Sequence, residues 1–536
     1  MTLSTDETTP EARQKASVKD IWQKLRQSQS AGVIAVAILA FLSFGAWSLS
    51  SAPGSTPDDD YHLASIWCTD IGGADLCAME EREKQKMVPS AIPESRCYAQ
   101  FPNESAACQP LMTTADGRET MTNRLNSVQQ LYPTGFYQFS SVLAGENIET
   151  SVITMRLVNA ALFIGLNVAL WLLVPMRLKQ PLVFAWFATM VPLAMFLIPS
   201  TNPSAWAIIG VGSAWAALLG YLEHTGWQRW VLGVMFVAFA GIAASARTDA
   251  TLFAIASSGV ALLATDAPFR QLLRRLWIPV VGVLLAGGVL FFQRGALGAL
   301  STGFRRQGDE GFDWGLLWNN IIETPGLWLG VVGGWPWGSL GWLDTPMPQI
   351  VALLAMGVFV AIIGVGLAGA SLRIRLVTLL MFIMVWTIPL YLLQISGFLV
   401  GAGFQSRYVM PLIVVLVGIM LLRPAGHPGL FSQKTHVVMI TIALALANSI
   451  ALHQNIRRYV TGLGEPGFNL NAGGEWWWWT LSGSAITPMT VWVAGSLAFF
   501  GAAWVALVWG RSAIPAHVGR HSLETEEVTP SPAIRS

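Results

Sequence analysis

Three consecutive carboxylates, Asp58, Asp59 and Asp60, stand between Pro57 and the pair Tyr61-His62, just after the first long apolar run. Adjacent negative charges repel one another unless a cation, a metal ion or a substrate proton offsets them. Such a carboxylate can serve as a general base or ligate a divalent cation. The plainer reading is a solvated acidic turn at a helix start, where Asp caps free N–H groups and favours the positive helix end. Other polar groups recur at the ends of apolar runs: Asn202-Pro203, Arg247-Thr248-Asp249 and Gln405-Ser406-Arg407-Tyr408. Ionisable groups at membrane depth are expensive and usually functional. Arg247 and Arg407 are candidates to hold a phosphate, because guanidinium binds its oxygens as a bidentate fork. The alternative is that Arg247 pairs with Asp249, or that either arginine snorkels toward lipid headgroups. A Gly- and Trp-rich stretch, 335–346, contains Trp342 and Asp344. Tryptophan faces stack on sugars, although an interfacial belt explains most of these residues and also Trp476, Trp477, Trp478 and Trp479. Residues 313–332 are expected to form an amphipathic or re-entrant helix, with Arg305 and Arg306 facing headgroups or a donor phosphate. The chain has no Walker loop, dinucleotide fingerprint, H-E-x-x-H or nucleophile elbow, so no soluble nucleotide or metalloprotease chemistry is expected.

The composition decides what must position these groups. Of 536 residues, 53% are hydrophobic and 12% charged, and the mean hydropathy is +0.51. A soluble domain carries about 25% charged residues. This half-charged composition excludes a cytosolic enzyme, a nucleic-acid binder and a disordered chain. About twelve runs are long enough to cross a bilayer, given roughly 20 apolar residues per crossing: 31–51, 152–175, 181–199, 204–222, 229–245, 250–265, 276–293, 349–370, 376–397, 409–422, 436–453 and 487–510. Those at 250–265 and 409–422 are short. Backbone groups in lipid must be satisfied within the segment, which makes these runs helices and the fold an all-α integral membrane protein.

Placing the basic tail 1–30 in the cytoplasm puts ten Lys and Arg against two acids, Glu223 and Asp266, in the short loops on that side, as the positive-inside rule requires. The first run reads as an uncleaved helix. The expected order is a cytoplasmic tail 1–30, helix 31–51, an external loop 53–150, helices over 152–293 and an external loop 294–348. Helices over 349–453, an external loop 454–486, a last helix 487–510 and a cytoplasmic tail 511–536 complete it. All four cysteines, Cys68, Cys77, Cys97 and Cys108, fall in the first external loop. Disulfides in an oxidising compartment are expected, most simply Cys68–Cys77 with Cys97–Cys108, since the spacing fits no common zinc pattern.

Four motifs, in this order and on one side, resemble the bacterial DUF2142 membrane proteins, grouped with the GT-C glycosyltransferases that use polyprenyl-phosphate sugars. They are Pro57-Asp58-Asp59-Asp60-Tyr61-His62, Asn202-Pro203, Gly341-Trp342-Leu343-Asp344 and Gln405-Ser406-Arg407-Tyr408-Val409-Met410-Pro411. Asp59 stands where the family has Glu, and Ser406 where it has Gly. The resemblance implies a GT-C-like bundle in the bacterial plasma membrane and an inverting transfer on the outer face. A sugar would pass from a polyprenyl-phosphate donor, with arabinofuranose or mannose both compatible, to an envelope glycan or glycolipid. It favours Asp58 as the base over Asp59 and Asp60, with Asp59 and His62 orienting it. The donor phosphate is expected near Arg247 or Arg407, and substrate contacts at Asp60, Asn202, Asp249, Trp342, Asp344, Gln405 and Tyr408. No cofactor is required, though a divalent cation at Asp58–Asp60 would be compatible. Membrane lipid is the expected surrounding and nucleic acid is not a partner. A transporter of a lipid-linked glycan and a non-catalytic envelope scaffold are the competing classes.

Overall fold

The computed structural model describes residues 29–69, 77, 79–80, 84–292, 312–334, 339–402, 404–424, 430–431, 433–464, 466–473, 476–483 and 485–509. Arg305, Arg306, the Trp335–Gly338 stretch and most of both tails lie outside them. Helices account for 72% of the structure. The main ones are α1 (Gln29–Leu49), α2 (Asp59–Trp67), α3 (Ile148–Leu173), α4 (Met176–Thr189), α5 (Ser204–Glu223), α6 (Gly226–Ala246) and α7 (Thr248–Ala264). They continue as α8 (Trp277–Phe292), α9 (Trp314–Gly333), α10 (Gln349–Gly369), α11 (Leu372–Ser396), α12 (Ser406–Met420), α13 (Lys434–Val460) and α14 (Pro488–Ala503).

Among the described residues nine helices are long and apolar enough to cross a membrane, or ten when the bent pair Phe269–Arg275 and Trp277–Val289 counts as one. These account for nine or ten of the twelve expected spans. The shortfall lies in α7, with 17 residues, and α12, with 15. At 1.5 Å per residue these rise only about 23–26 Å, short of the roughly 30 Å hydrocarbon core. Both carry candidate site residues at their N-terminal ends. The span containing α4 is broken at Val191, whose backbone is non-helical, and resumes over Met195–Leu197. The break turns Leu193, Phe196 and Leu197 toward the polar residues after α1.

A three-stranded antiparallel sheet departs from the all-helical expectation. β1 (Met79–Glu80), β2 (Gln85–Pro89) and β3 (Glu119–Thr122) pair in that order inside the first long loop. The two disulfides are Cys68–Cys77 and Cys97–Cys108, as expected from their local spacing.

The long loops converge at one end of the bundle. The Gln100 N–H donates to Asp344 (3.0 Å), the Leu463 N–H to the Pro102 carbonyl (2.9 Å) and Trp342 Nε1 to the Gly54 carbonyl (2.8 Å). At the other end the short loops are cross-braced: Arg177 pairs with both Glu223 and Asp266, and Arg373 with Asp266. Trp476, Trp477 and Trp478 do not form an exposed belt. They are buried within the protein, with Trp477 Nε1 donating to the Leu49 carbonyl at the end of α1 (3.1 Å).

Candidate active site at the end of the first helix

The turn after α1 is held by buried donors. Arg156, on α3, is fully enclosed and donates to the carbonyls of Ser48, Ser51 and Ala52 and to Ser55 Oγ. These carbonyls lie at and beyond the C-terminal end of α1, where helix carbonyls lack internal partners. Asn202 Nδ2 donates to the Pro57 carbonyl (2.9 Å). Asn202 thus fixes the backbone of the acidic motif rather than facing a substrate.

The chain then passes through Asp58 at φ 64°, ψ 20°, a left-handed conformation that few residues other than Gly, Asn and Asp tolerate. That turn separates the three carboxylates. Asp59 points inward, accepting from the Thr56 N–H (3.0 Å), the Thr56 hydroxyl and the Thr201 hydroxyl (3.0 Å). Asp60 is buried and accepts two bonds from Arg124, at 2.7 and 3.1 Å, with Arg96 at 3.5 Å. Asp58 alone remains partly open, with 38% of its side chain exposed. Its Oδ2 accepts from Arg407 (3.0 Å) and its Oδ1 lies 3.4 Å from Arg124. Three carboxylates facing three ways do not form a shared cation site. Among the described residues no group of three His, Cys, Asp or Glu side chains is placed to hold a metal.

Arg407, at the start of α12, is 5% exposed. Besides Asp58 it donates to the Pro57 carbonyl (3.3 Å) and the Tyr408 hydroxyl (2.8 Å). Its Nε has no partner, and neither has Gln405 Oε1. Both residues line a narrow cleft whose other walls include Leu193, Phe196, Leu197, Leu343 and Gly341. Gly341 sits at φ 64°, and a Cβ there would lie 2.5 Å from Asp344 Oδ1, so the close approach of this loop requires glycine. An unpaired buried donor beside an apolar wall suits a ligand with a polar head and a hydrocarbon tail.

Arg247 is bound on two sides by Asp249, at 2.9 Å each, so the pairing alternative describes the free protein. It still adjoins the site, because its guanidinium lies 4.3 Å from the Tyr408 ring centre and Arg407 lies 4.9 Å from the same ring. Tyr132 completes this aromatic wall; burial pushes it up to about 12, so it stays a neutral phenol.

Burial raises the Asp58 carboxyl, but Arg407, His62 and Arg124 together outweigh it and hold the group below its ordinary value. Burial raises Asp59. His62 does not bond Asp58. Its Nδ1 lies 2.9 Å from the Tyr137 hydroxyl, within a cluster of Tyr61, Tyr132 and Tyr137. Burial, with Arg407, Arg247 and Arg124 adding to it against Asp58, lowers His62 to about 3. A histidine whose value falls on folding contributes stability fully present above its ordinary pKa of about 6.5 and lost as pH drops toward the folded value. The melting temperature of the wild-type protein should therefore fall between pH 6.5 and 4 more steeply than that of His62→Phe. Parallel curves would mean His62 does not titrate on unfolding.

Asp344 is not free for substrate. It pairs with the fully buried Arg458 of α13 (2.7 Å) and accepts from the backbones of Gln100 and Trp342. Removing one partner strands a buried charge, at a cost of about 3–5 kcal/mol. Asp344→Asn and Arg458→Ala should each lower the unfolding midpoint markedly; unchanged midpoints would return Asp344 to the substrate side.

Four groups escape a reading of the sequence: Arg96, Arg124, Arg156 and Arg458. Arg156 and Arg458 carried a signal, since each is an arginine within an apolar run or at its end. Arg96 and Arg124 carried none beyond being among six bases in an acidic loop.

A family model described as a predicted membrane protein (DUF2142) matches residues 41–416. No curated protein and no solved structure matches the chain.

Proposed function

Because the chain belongs to the DUF2142 family of predicted membrane proteins, we propose that it is a GT-C-type glycosyltransferase. It moves a sugar from a polyprenyl-phosphate donor to a hydroxyl of an envelope glycan or glycolipid. The observation that carries this reading is the pairing of a half-open carboxylate, Asp58, with a buried guanidinium, Arg407, that lines an apolar-walled cleft. The donor's phosphate would sit on Arg407, with its first isoprene units along Leu193, Phe196 and Leu197. The acceptor oxygen attacks the anomeric carbon as Asp58 takes its proton. The bond from that carbon to the phosphate oxygen breaks, polyprenyl phosphate leaves, and the configuration inverts. Charge grows on the leaving phosphate, so a fixed guanidinium stabilises the transition state more than the bound donor.

A carboxylate held below its usual range is anionic but a weak base. The donor phosphate resolves this by competing for Arg407. Once Arg407 turns to the phosphate, Asp58 loses its strongest cationic partner and its basicity recovers.

The test is purified protein in nanodiscs, given short-chain polyprenyl-phosphate arabinofuranose or mannose and an envelope glycan extract. The reading requires acceptor-dependent release of polyprenyl phosphate. Movement of the donor across the bilayer without release would favour a transporter, and neither outcome would favour a scaffold.

A further inference from the structure

The two oxygens of Asp58 face different surroundings. Oδ2 meets Arg407, which is buried and lines the apolar-walled cleft. Oδ1 meets Arg124, which is 42% exposed and belongs to the first long loop. Arg96 stands on that same loop side, 45% exposed, with its guanidinium 5.7 Å from the Trp342 ring centre.

The pairings locate an uncompensated charge. On the cleft side Arg407 is matched by Asp58. On the loop side Arg124 already holds Asp60 through two bonds, and Arg96 reaches only the same carboxylate, at 3.5 Å. Among the described residues two guanidinium groups thus share Asp60, leaving about one positive charge beside the open edge of Asp58. Buried Asp60 holds Arg124 through two bonds, so little of that side chain's freedom is lost when it binds a ligand. Trp342 is itself fixed by its bond to Gly54, and the Arg96 guanidinium lies over its ring. A fixed ring with one guanidinium over it, and a second guanidinium on the same carboxylate as the first, suits a sugar that carries a carboxylate or phosphate.

We propose that Arg96, Arg124 and Trp342 form an acceptor subsite selective for an anionic glycan, with its acidic group on the arginines and its reacting hydroxyl turned to Asp58. This rests on the reading of Asp58 as the group that deprotonates the acceptor.

The experiment is direct binding, without donor, to full-length protein in phosphatidylcholine nanodiscs. The probes are two trisaccharides that differ only in a terminal glucuronic acid or glucose. The acidic sugar should bind about fivefold tighter, the scale of one partly exposed ion pair. Arg96→Gln should erase the preference, and Arg96→Lys should restore part of it. Arg96 touches neither Asp58 nor the cleft, so polyprenyl phosphate binding should be unaffected. Equal affinities in the wild type, or a preference indifferent to Arg96, would overturn the subsite. So would displacement of the acidic sugar by phosphatidylglycerol in the nanodisc, which would assign the arginines to lipid headgroups. Arg96-dependent charge selectivity with no transfer from any donor keeps the subsite and defeats the enzymatic reading. Transfer without charge selectivity does the reverse.

Discussion

Asp58→Asn should leave the protein folded, reduce transfer by about 10²–10⁴-fold and bind polyprenyl phosphate more tightly than the wild type. The range is that of a lost general base. Asparagine is the apt replacement because it tolerates the left-handed backbone that Asp58 adopts, so a loss of activity would not report a collapsed turn. The tighter binding follows from competition. Asp58 occupies Arg407 in the free protein, and an uncharged amide competes less well with a phosphate; a gain of about fivefold is the scale of one partly exposed ion pair. Asp60→Asn is the control. It removes the same charge a short distance away, but from Arg124 and Arg96 rather than Arg407, and should gain less. Wild-type transfer by Asp58→Asn would remove the base. Equal gains in the two variants would reduce the competition to general electrostatics.

The second large effect is expected at Arg407. Arg407→Ala should weaken polyprenyl phosphate binding on the order of a hundredfold, the scale for losing one partner of a buried charge pair. Acceptor binding should change much less. Arg407→Lys should recover only part of the loss, because an ammonium keeps the charge without the planar fork. The alanine variant also frees Asp58 from its nearest cation, so Asp58 should titrate at higher pH, shifting the acidic limb of the rate profile upward. Unchanged donor affinity in Arg407→Ala, measured with farnesyl phosphate, would take the phosphate away from this residue.

The sequence marked these two residues although 349 positions separate them. Each is a charge at the edge of an apolar run, where burial without a partner is prohibitive. The family resemblance set them in one site, and the fold brings them to 3.0 Å. The neighbours were harder to read. Asp59 and His62 share a motif with Asp58 and Asn202 belongs to another, yet their side chains turn inward to Thr56, Tyr137 and the Pro57 carbonyl. A single left-handed residue reverses the direction of the chain, and no periodicity in the sequence announces it. Asp344 lies far in sequence from its partner Arg458, which stands in none of the four motifs, whereas the Arg247–Asp249 pair is one of the two alternatives that the sequence offers. The tryptophans at 476–478 were read from composition, which cannot distinguish a residue at the lipid surface from one wedged against the end of α1. The span count differs at two short helices. α7 and α12 are apolar but short, and each carries an arginine of the site, Arg247 or Arg407, at its N-terminal end.

The account's central claim is most directly tested by a structure of the protein with farnesyl phosphate bound. It predicts the phosphate on Arg407, the hydrocarbon against Leu193, Phe196 and Leu197, and the Asp58 carboxylate parted from Arg407 and turned to the open side. A phosphate bound elsewhere, or an Asp58–Arg407 pair still intact beneath the bound lipid, would contradict it.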